Sequence, residues 1–130
     1  MTAFSDYLEN NLGDHVLGIA SYTSPSNIYL ALFTDDPTDA DTGTEVSGGG
    51  YSRLDVTGKF NAFSGGSSQN NADLAFPTAT VDWGTVTHAA IYDASTGGNL
   101  LLHASVSTSK TINSGDTAEF KSGNITVTLD

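Results

Sequence analysis

Short runs of alternating apolar and polar residues fill the last third of the chain, and this period of two constrains the fold more than any other feature. Two of the runs, TVTHAAIYDA (85–94) and NLLLHASVS (99–107), flank Ser-Thr-Gly-Gly, a typical hairpin turn. In a third run, NITVTLD (124–130), the apolar residues are expected to face inward and the threonines outward. The apolar residues of this run are Ile125, Val127 and Leu129. The pattern predicts antiparallel strands.

Earlier runs extend the same organisation. IYLALFT (28–34) is apolar on both faces, which predicts a central strand buried on both sides. Further extended pieces are predicted at YSRLDVTGKF (51–60) and LAFPTAT (74–80), and KTINSGDTAEF (110–120) contains the tight-turn tetrad Asn-Ser-Gly-Asp. The intervening regions 35–50 and 62–73 are rich in Gly, Asp, Ser and Asn, as loops are. Strands at such spacing predict a mainly β fold, a single antiparallel β-sandwich or barrel of jelly-roll-like type.

The N-terminal segment has a different period. Apolar residues recur at intervals of four, which is a helical stripe: Phe4, Leu8, Leu12 and Val16. We expect a short α-helix over about residues 3–12, with residue 17 as its furthest extent. Thr2 or Ser5 is the candidate N-cap, and Gly13 or Gly18 the candidate stop. With no repeat or linker in the sequence, residues 1–130 are expected to form one β domain with this helix at its start.

The charge balance excludes several classes of partner. Four Lys and Arg stand against 15 Asp and Glu, which gives a net charge of −11. Such a surface repels nucleic-acid phosphates and anionic lipids, so no nucleic acid and no membrane is expected as a partner. Without cysteine there is no disulfide framework and no thiolate metal site. The first residues lack the pattern of a signal peptide, so we expect synthesis and retention in a cytoplasm unless a larger assembly carries the protein out.

No motif predicts catalysis, and we expect no catalytic, cofactor-binding or metal-binding residue. His15, His88 and His103 match no metal-binding spacing, although a cross-strand pair of His88 and His103 is conceivable. An acidic stretch between residues 35 and 45 lacks EF-hand spacing, which leaves a solvated loop as the favoured interpretation and an ion site as the alternative. The carboxylates are scattered, and nothing singles out a glycosidase pair.

A triple glycine lies in EVSGGGYSR (45–53). It is not a phosphate-binding loop, because no lysine follows the glycines and no βαβ context surrounds them. Two interpretations stay open. Residues 48–53 form a sharp turn that feeds Tyr51 and Arg53 into the sheet, or they make a close contact with a neighbouring subunit, since Tyr and Arg are enriched in interfaces.

Four segments, taken in order, resemble a family of small tailed-bacteriophage virion proteins that carry tail-fibre or minor structural labels and are similar to head decoration (cement) proteins. The segments are FSDYLEN (4–10), IYLALFTDDPTDADTGTEVSGGGYSR (28–53), VDWGTVTHAAIYDASTGGNLLLHASV (81–106) and KTINSGDTAEF (110–120). The resemblance implies a non-enzymatic virion structural protein, assembled in the cytoplasm of a host bacterium.

The first functional hypothesis is a decoration protein that stabilises the head by bridging capsid subunits, with the major capsid protein or other virion proteins as partners. We expect a homo-oligomer, with a trimer as the candidate state on symmetry grounds. The candidate interface has two parts, a helix face and the glycine turn: Phe4, Tyr7 and Leu8, then Gly48, Gly49, Gly50, Tyr51 and Arg53. Alternatively, the helix simply covers an open end of the sandwich.

The second hypothesis is a small tail-fibre or tail-associated protein that contacts the host surface. Glycan binding would favour an exposed cleft that contains Trp83, Tyr92 and an aspartate, and burial of Trp83 would weaken this idea. A carbohydrate-active enzyme is the third and least favoured hypothesis.

Overall fold

The computed structural model describes Met1 and residues 3–129. In chain order its elements are β1 (Ala3–Phe4), α1 (Asp6–Val16), β2 (Tyr29–Phe33), β3 (Leu54–Asp55), β4 (Ser67–Gln69), β5 (Leu74–Ala75), β6 (Gly84–Tyr92), β7 (Leu100–Ile112), β8 (Glu119–Phe120) and β9 (Thr126–Thr128). Thr2, one of the two predicted N-caps, lies outside the described residues, as does Asp130, the last residue of the predicted domain.

The single helix is confirmed, but it is shifted from the predicted span of 3–12. Ser5 is the N-cap, with its hydroxyl accepting a hydrogen bond of 3.1 Å from the Leu8 amide, so helical geometry begins only at Asp6. Residues before the cap instead pair with β7 as strand β1. The helix continues through Gly13 and stops where Gly18 adopts a φ of 74°.

A five-stranded antiparallel sheet, in the order β1-β7-β6-β2-β3, forms the larger layer. Its centre is the predicted hairpin, in which β6 and β7 pair from Gly84 opposite Ile112 to Tyr92 opposite Leu100. The predicted two-sided burial of β2 is confirmed, because its alternate residues join two separate apolar clusters.

Two small antiparallel sheets, β4-β9 and β5-β8, form the second layer. The main core contains side chains from both layers, among them Leu30, Val86, Leu74 and Ile125. Among the described residues no sheet closes into a barrel, so of the two predicted architectures the sandwich-like one is observed.

Three local predictions were wrong. Only Leu54–Asp55 of the predicted strand 51–60 is a strand, because the chain turns at Gly58, whose φ is 72°. The polar region 62–73 contains strand β4, whose residues read as a loop because they are Ser and Gln. Leu129 is 54% exposed, although Ile125 and Val127 are buried as expected.

The acidic loop 35–45 lies against the face of the sheet opposite the main core. A second apolar cluster on that face contains Phe33 and Tyr92, whose rings stack with centroids 6.3 Å apart. Pro37 from the loop is fully buried, and the Tyr92 hydroxyl donates a hydrogen bond of 2.5 Å to Asp41. The loop therefore provides the cover that makes β2 a two-sided strand.

Candidate interaction surface

The predicted helix face is largely turned inward. Leu8 is only 8% exposed, and Phe4 is half-buried against the main core. Tyr7 is 37% exposed and meets Tyr22 edge to face, with ring centroids 6.5 Å apart. This arrangement supports the alternative in which the helix covers the sandwich, and the role of this face in an interface stays a prediction.

The triple glycine makes its close approach within the chain. Gly48 and Gly50 have φ values of 119° and 84°, which favour glycine. A Cβ atom at Gly49 would lie 2.2 Å from the Thr80 hydroxyl oxygen, and one at Gly50 would lie 2.5 Å from the Thr78 carbonyl oxygen. The Gly49 carbonyl accepts hydrogen bonds from the Thr80 amide and from the Trp83 indole, at 3.1 and 3.0 Å. These contacts support the turn interpretation.

Tyr51 enters the interior behind these glycines. Its hydroxyl donates to Glu45 at 2.7 Å and accepts from the Leu32 amide at 3.1 Å. Its ring packs edge to face on Trp83, with centroids 5.4 Å apart. Burial, with the neighbouring Glu45 carboxylate, raises the pKa of the Tyr51 hydroxyl far above its usual value. The hydroxyl is therefore a structural hydrogen-bonding group.

Arg53 joins the glycine turn to the β6–β7 hairpin. Its guanidinium makes two hydrogen bonds to the Glu45 carboxylate, of 2.9 and 2.8 Å, and two more to the carbonyls of Ala94 and Gly97. It also stacks on Tyr92, 3.7 Å from the ring centroid. Burial alone would lower the pKa of Arg53, but the hydrogen bond and charge of Glu45 outweigh it and raise that pKa. With its side chain 7% exposed, Arg53 offers little surface to a partner.

The carboxylates of the acidic loop have partners within the chain, which the solvated-loop interpretation did not anticipate. Glu45 binds Arg53 and Asp41 accepts from Tyr92, as described above. Asp35 and Asp36 accept hydrogen bonds from backbone amides, at 2.6 Å from Thr44 and 2.9 Å from Thr38. No local pattern indicated these partners, which lie on the loop itself or on segments that are distant in the chain.

His103, on β7, contacts two aspartates of the same loop. Its Nε2 lies 2.7 Å from Asp39, and its Nδ1 lies 3.6 Å from Asp36. The conceivable cross-strand pair is not formed directly, because His103 faces Ala90 and His88 faces Ser105. Within Met1 and residues 3–129, no group of three His, Asp or Glu residues is placed to hold a metal ion.

The exposed aromatic cleft considered for glycan binding is not formed. Trp83 is 5% exposed and belongs to the main core, whereas Tyr92 is 3% exposed in the cluster on the opposite face. Burial of Trp83 weakens the idea of glycan binding through these two side chains.

An exposed apolar surface lies instead at the end of the helix. Val16, Leu17 and Ile19 are 78%, 75% and 69% exposed, and we call these three residues the helix-end patch. Sequence reasoning placed Val16 on the inward stripe and overlooked its two neighbours. The missed signal was a cluster of aliphatic residues around Gly18 that belongs to no predicted strand. Three large aliphatic side chains exposed within four consecutive positions make this segment a candidate interaction site.

No helix in the described part of the chain has the length and apolar character needed to cross a membrane.

Comparison with known proteins supplies the family. A search of curated proteins gave no match. A family model described as podophage GP4 fiber I protein gp80 matches residues 3–128, nearly the whole chain. The match confirms the resemblance to tailed-phage virion structural proteins. The chain therefore belongs to the family of the podophage GP4 fiber I protein gp80.

Proposed function

We propose that the protein is a small, non-enzymatic fibre component of a podophage tail. The observation that carries the proposal is the family match over residues 3–128, whose description names a fibre protein. That description favours the tail-fibre hypothesis over the head-decoration hypothesis, in which the major capsid protein would be the partner.

The internal use of the polar side chains supports a structural role. Groups with the chemistry to act on a substrate, such as Glu45, Tyr51 and His103, hold loops against the sheet through hydrogen bonds within the chain. Their hydrogen bonds give these groups a structural role in the folded chain.

The size of the chain supports use as one building block among several. These 130 residues contain no internal repeat of the kind that long repetitive assemblies are built from. Its partners in this proposal are other virion proteins and further copies of itself. A net charge of −11 keeps such a surface component dispersed in solution.

Electron microscopy of intact particles labelled with gold-conjugated antibody against this protein tests the location. Gold at the tail is the expected result. Gold distributed over the head would overturn the tail assignment and restore the decoration hypothesis. Antibody that has been saturated with purified protein before labelling is the control, and it should leave the particles unlabelled.

A further inference from the structure

His103 is a buried titratable residue that lies between two carboxylates. It is 7% exposed, and on β7 it lies opposite Ala90 of β6 and Ala3 of β1. Its Nε2 is 2.7 Å from the Asp39 carboxylate, and its Nδ1 is 3.6 Å from the Asp36 carboxylate. Each ring nitrogen therefore faces an acidic side chain of the loop 35–45.

The charged groups that neighbouring elements bring to this ring are acidic. The helix contributes Asp6, whose backbone amide donates a hydrogen bond of 3.0 Å to the Asp39 carbonyl. On β6, the hydroxyl of Tyr92 is bonded to a third loop carboxylate, that of Asp41. In the part of the chain that the structure describes, neither Asp36 nor Asp39 pairs with a lysine or an arginine. His103 is therefore the group that can supply them with a positive charge.

The number of protons on the ring decides how many of these carboxylates it can bind. A neutral imidazole has one N–H donor, and its other nitrogen is an acceptor, as carboxylate oxygens are. The neutral ring can donate to Asp39, but its second nitrogen then faces Asp36 with no proton between them. The protonated ring has a donor at each nitrogen and attracts both carboxylates.

These contacts act on the part of the loop that covers the second apolar cluster. Pro37 is fully buried there, beside the cluster that contains Phe33 and Tyr92. Asp36 directly precedes Pro37 in the chain, and Asp39 follows two positions later. The hold of His103 on the two aspartates is therefore a hold on this cover.

We propose that His103 is a proton-dependent clamp for the acidic loop. With both ring nitrogens protonated the clamp holds Asp36 and Asp39, and loss of one proton releases Asp36. An unperturbed imidazole changes its charge near pH 6.5, whereas an ordinary aspartate stays ionised down to about pH 4. The loop is therefore held more firmly at about pH 5.5 than at about pH 7.5. This inference concerns the isolated protein and does not depend on where the protein is located in the virion.

Hydrogen exchange of two backbone amides, measured by NMR at these two pH values and corrected for the intrinsic exchange rate at each, tests the clamp. The Asp6 amide donates to the Asp39 carbonyl, and the Thr42 amide donates to the Pro37 carbonyl at 2.7 Å. Both hydrogen bonds involve the loop, so the protection of these amides reports how firmly the loop is held.

Two variants remove the clamp in different ways. His103→Gln keeps a neutral donor for Asp39 at both pH values. Asp36→Asn removes the second charge, and the asparagine oxygen can still accept the hydrogen bond from the Thr38 amide. His88→Gln is the matched control, because in the described residues His88 bonds to the Thr87 hydroxyl at 2.8 Å and pairs with no carboxylate.

We expect the protection of both amides to increase at least about threefold from the higher pH to the lower in the wild type and in the His88 variant. The cost of burying a charged ring keeps the increase modest. The increase should be lost in the His103 and Asp36 variants. No increase in the wild type, an equal increase in the His103 variant, or loss of the increase in the His88 variant would overturn the proposal.

The Asp36 variant keeps the test decisive should the His103 variant fail to fold. The Asp36 side chain is 59% exposed, so its substitution leaves the buried clusters intact. An increase in the Asp36 variant as large as in the wild type would show that the second carboxylate plays no part, and the clamp would be disproved.

Discussion

Two glycines, one in the helix and one just beyond it, show that the backbone conformation of a single residue determines whether a side chain is tolerated there. Gly13 lies inside α1 with ordinary helical geometry, and a Cβ atom there would meet nothing within 4 Å. Gly18 has the same open surroundings, but its φ of 74° lies in the left-handed region that disfavours side chains. The two sites therefore differ in backbone strain and not in steric space.

Alanine substitutions at the two sites should shift stability in opposite directions. Gly13→Ala is expected to raise the free energy of unfolding by about 0.5–1 kcal/mol, because alanine loses less backbone entropy in a helix. Gly18→Ala is expected to lower it by about 1–2 kcal/mol through left-handed strain. Urea unfolding followed by circular dichroism measures both, and shifts of the same sign would contradict the argument.

The buried hydroxyl of Tyr51 gives a second prediction. Tyr51→Phe leaves the Leu32 amide without its hydrogen-bond acceptor, and we expect unfolding to become easier by about 1–3 kcal/mol. Tyr29→Phe is the control, because in the described residues the Tyr29 hydroxyl makes no hydrogen bond within the chain. Equal stability of the two variants in urea would show that the Tyr51 hydroxyl contributes nothing.

Among the elements, loops that the sequence leaves irregular are fixed by contacts to strands. Arg53 joins the glycine turn to the β6–β7 hairpin, and His103 holds the acidic loop to β7. Each link joins segments that are more than 40 residues apart in the chain, with separations of 41 and 64 positions. These contacts hold both loops in place against the large sheet.

Removing the Arg53 link should therefore be costly. Arg53→Ala leaves the partly buried Glu45 carboxylate without its cation, and we expect a loss of about 3 kcal/mol in unfolding free energy. Hydrogen exchange should also speed up in the turn between β6 and β7. Lys121→Ala removes two ion pairs, with Asp73 and Glu119, in which the lysine is exposed to solvent, so it should change stability little. Equal effects of the two substitutions in urea would contradict the structural role of Arg53.

For the whole molecule, burial of tyrosine hydroxyls links folding to alkaline pH. Burial, followed by the hydrogen bonds to Glu45 and Asp41, raises the pKa of Tyr51 and of Tyr92 above the ordinary value of 10.0. The folded protein then holds these protons more tightly than the unfolded chain does. The stability they contribute is fully present below pH 10 and is lost as the pH rises above it.

We therefore expect the free energy of unfolding to fall as the pH rises above about 10. Urea titrations at several pH values measure the slope. A variant with both Tyr51→Phe and Tyr92→Phe should show a shallower slope than the wild type, although it is less stable at neutral pH. Identical slopes would show that the two hydroxyls are not responsible.

The sequence predicted the mainly β architecture, the hairpin and the two-sided β2, because each depends on a local period or turn. It predicted less of the candidate site. Val16 was expected on the inward stripe but lies in solvent, and the sequence left open whether Trp83, which is buried, would be exposed. Periodicity identifies the face of a helix, but it does not show where the underlying sheet ends.

Thus the sequence by itself determined the class of fold, the presence of an N-terminal helix and the acidic character of the surface, since local backbone preferences and composition control these properties. Only the tertiary structure decided between sandwich and barrel, gave partners to the acidic loop, and left the helix-end patch exposed to solvent. These outcomes depend on contacts between residues far apart in the chain, and no local pattern encodes such distances.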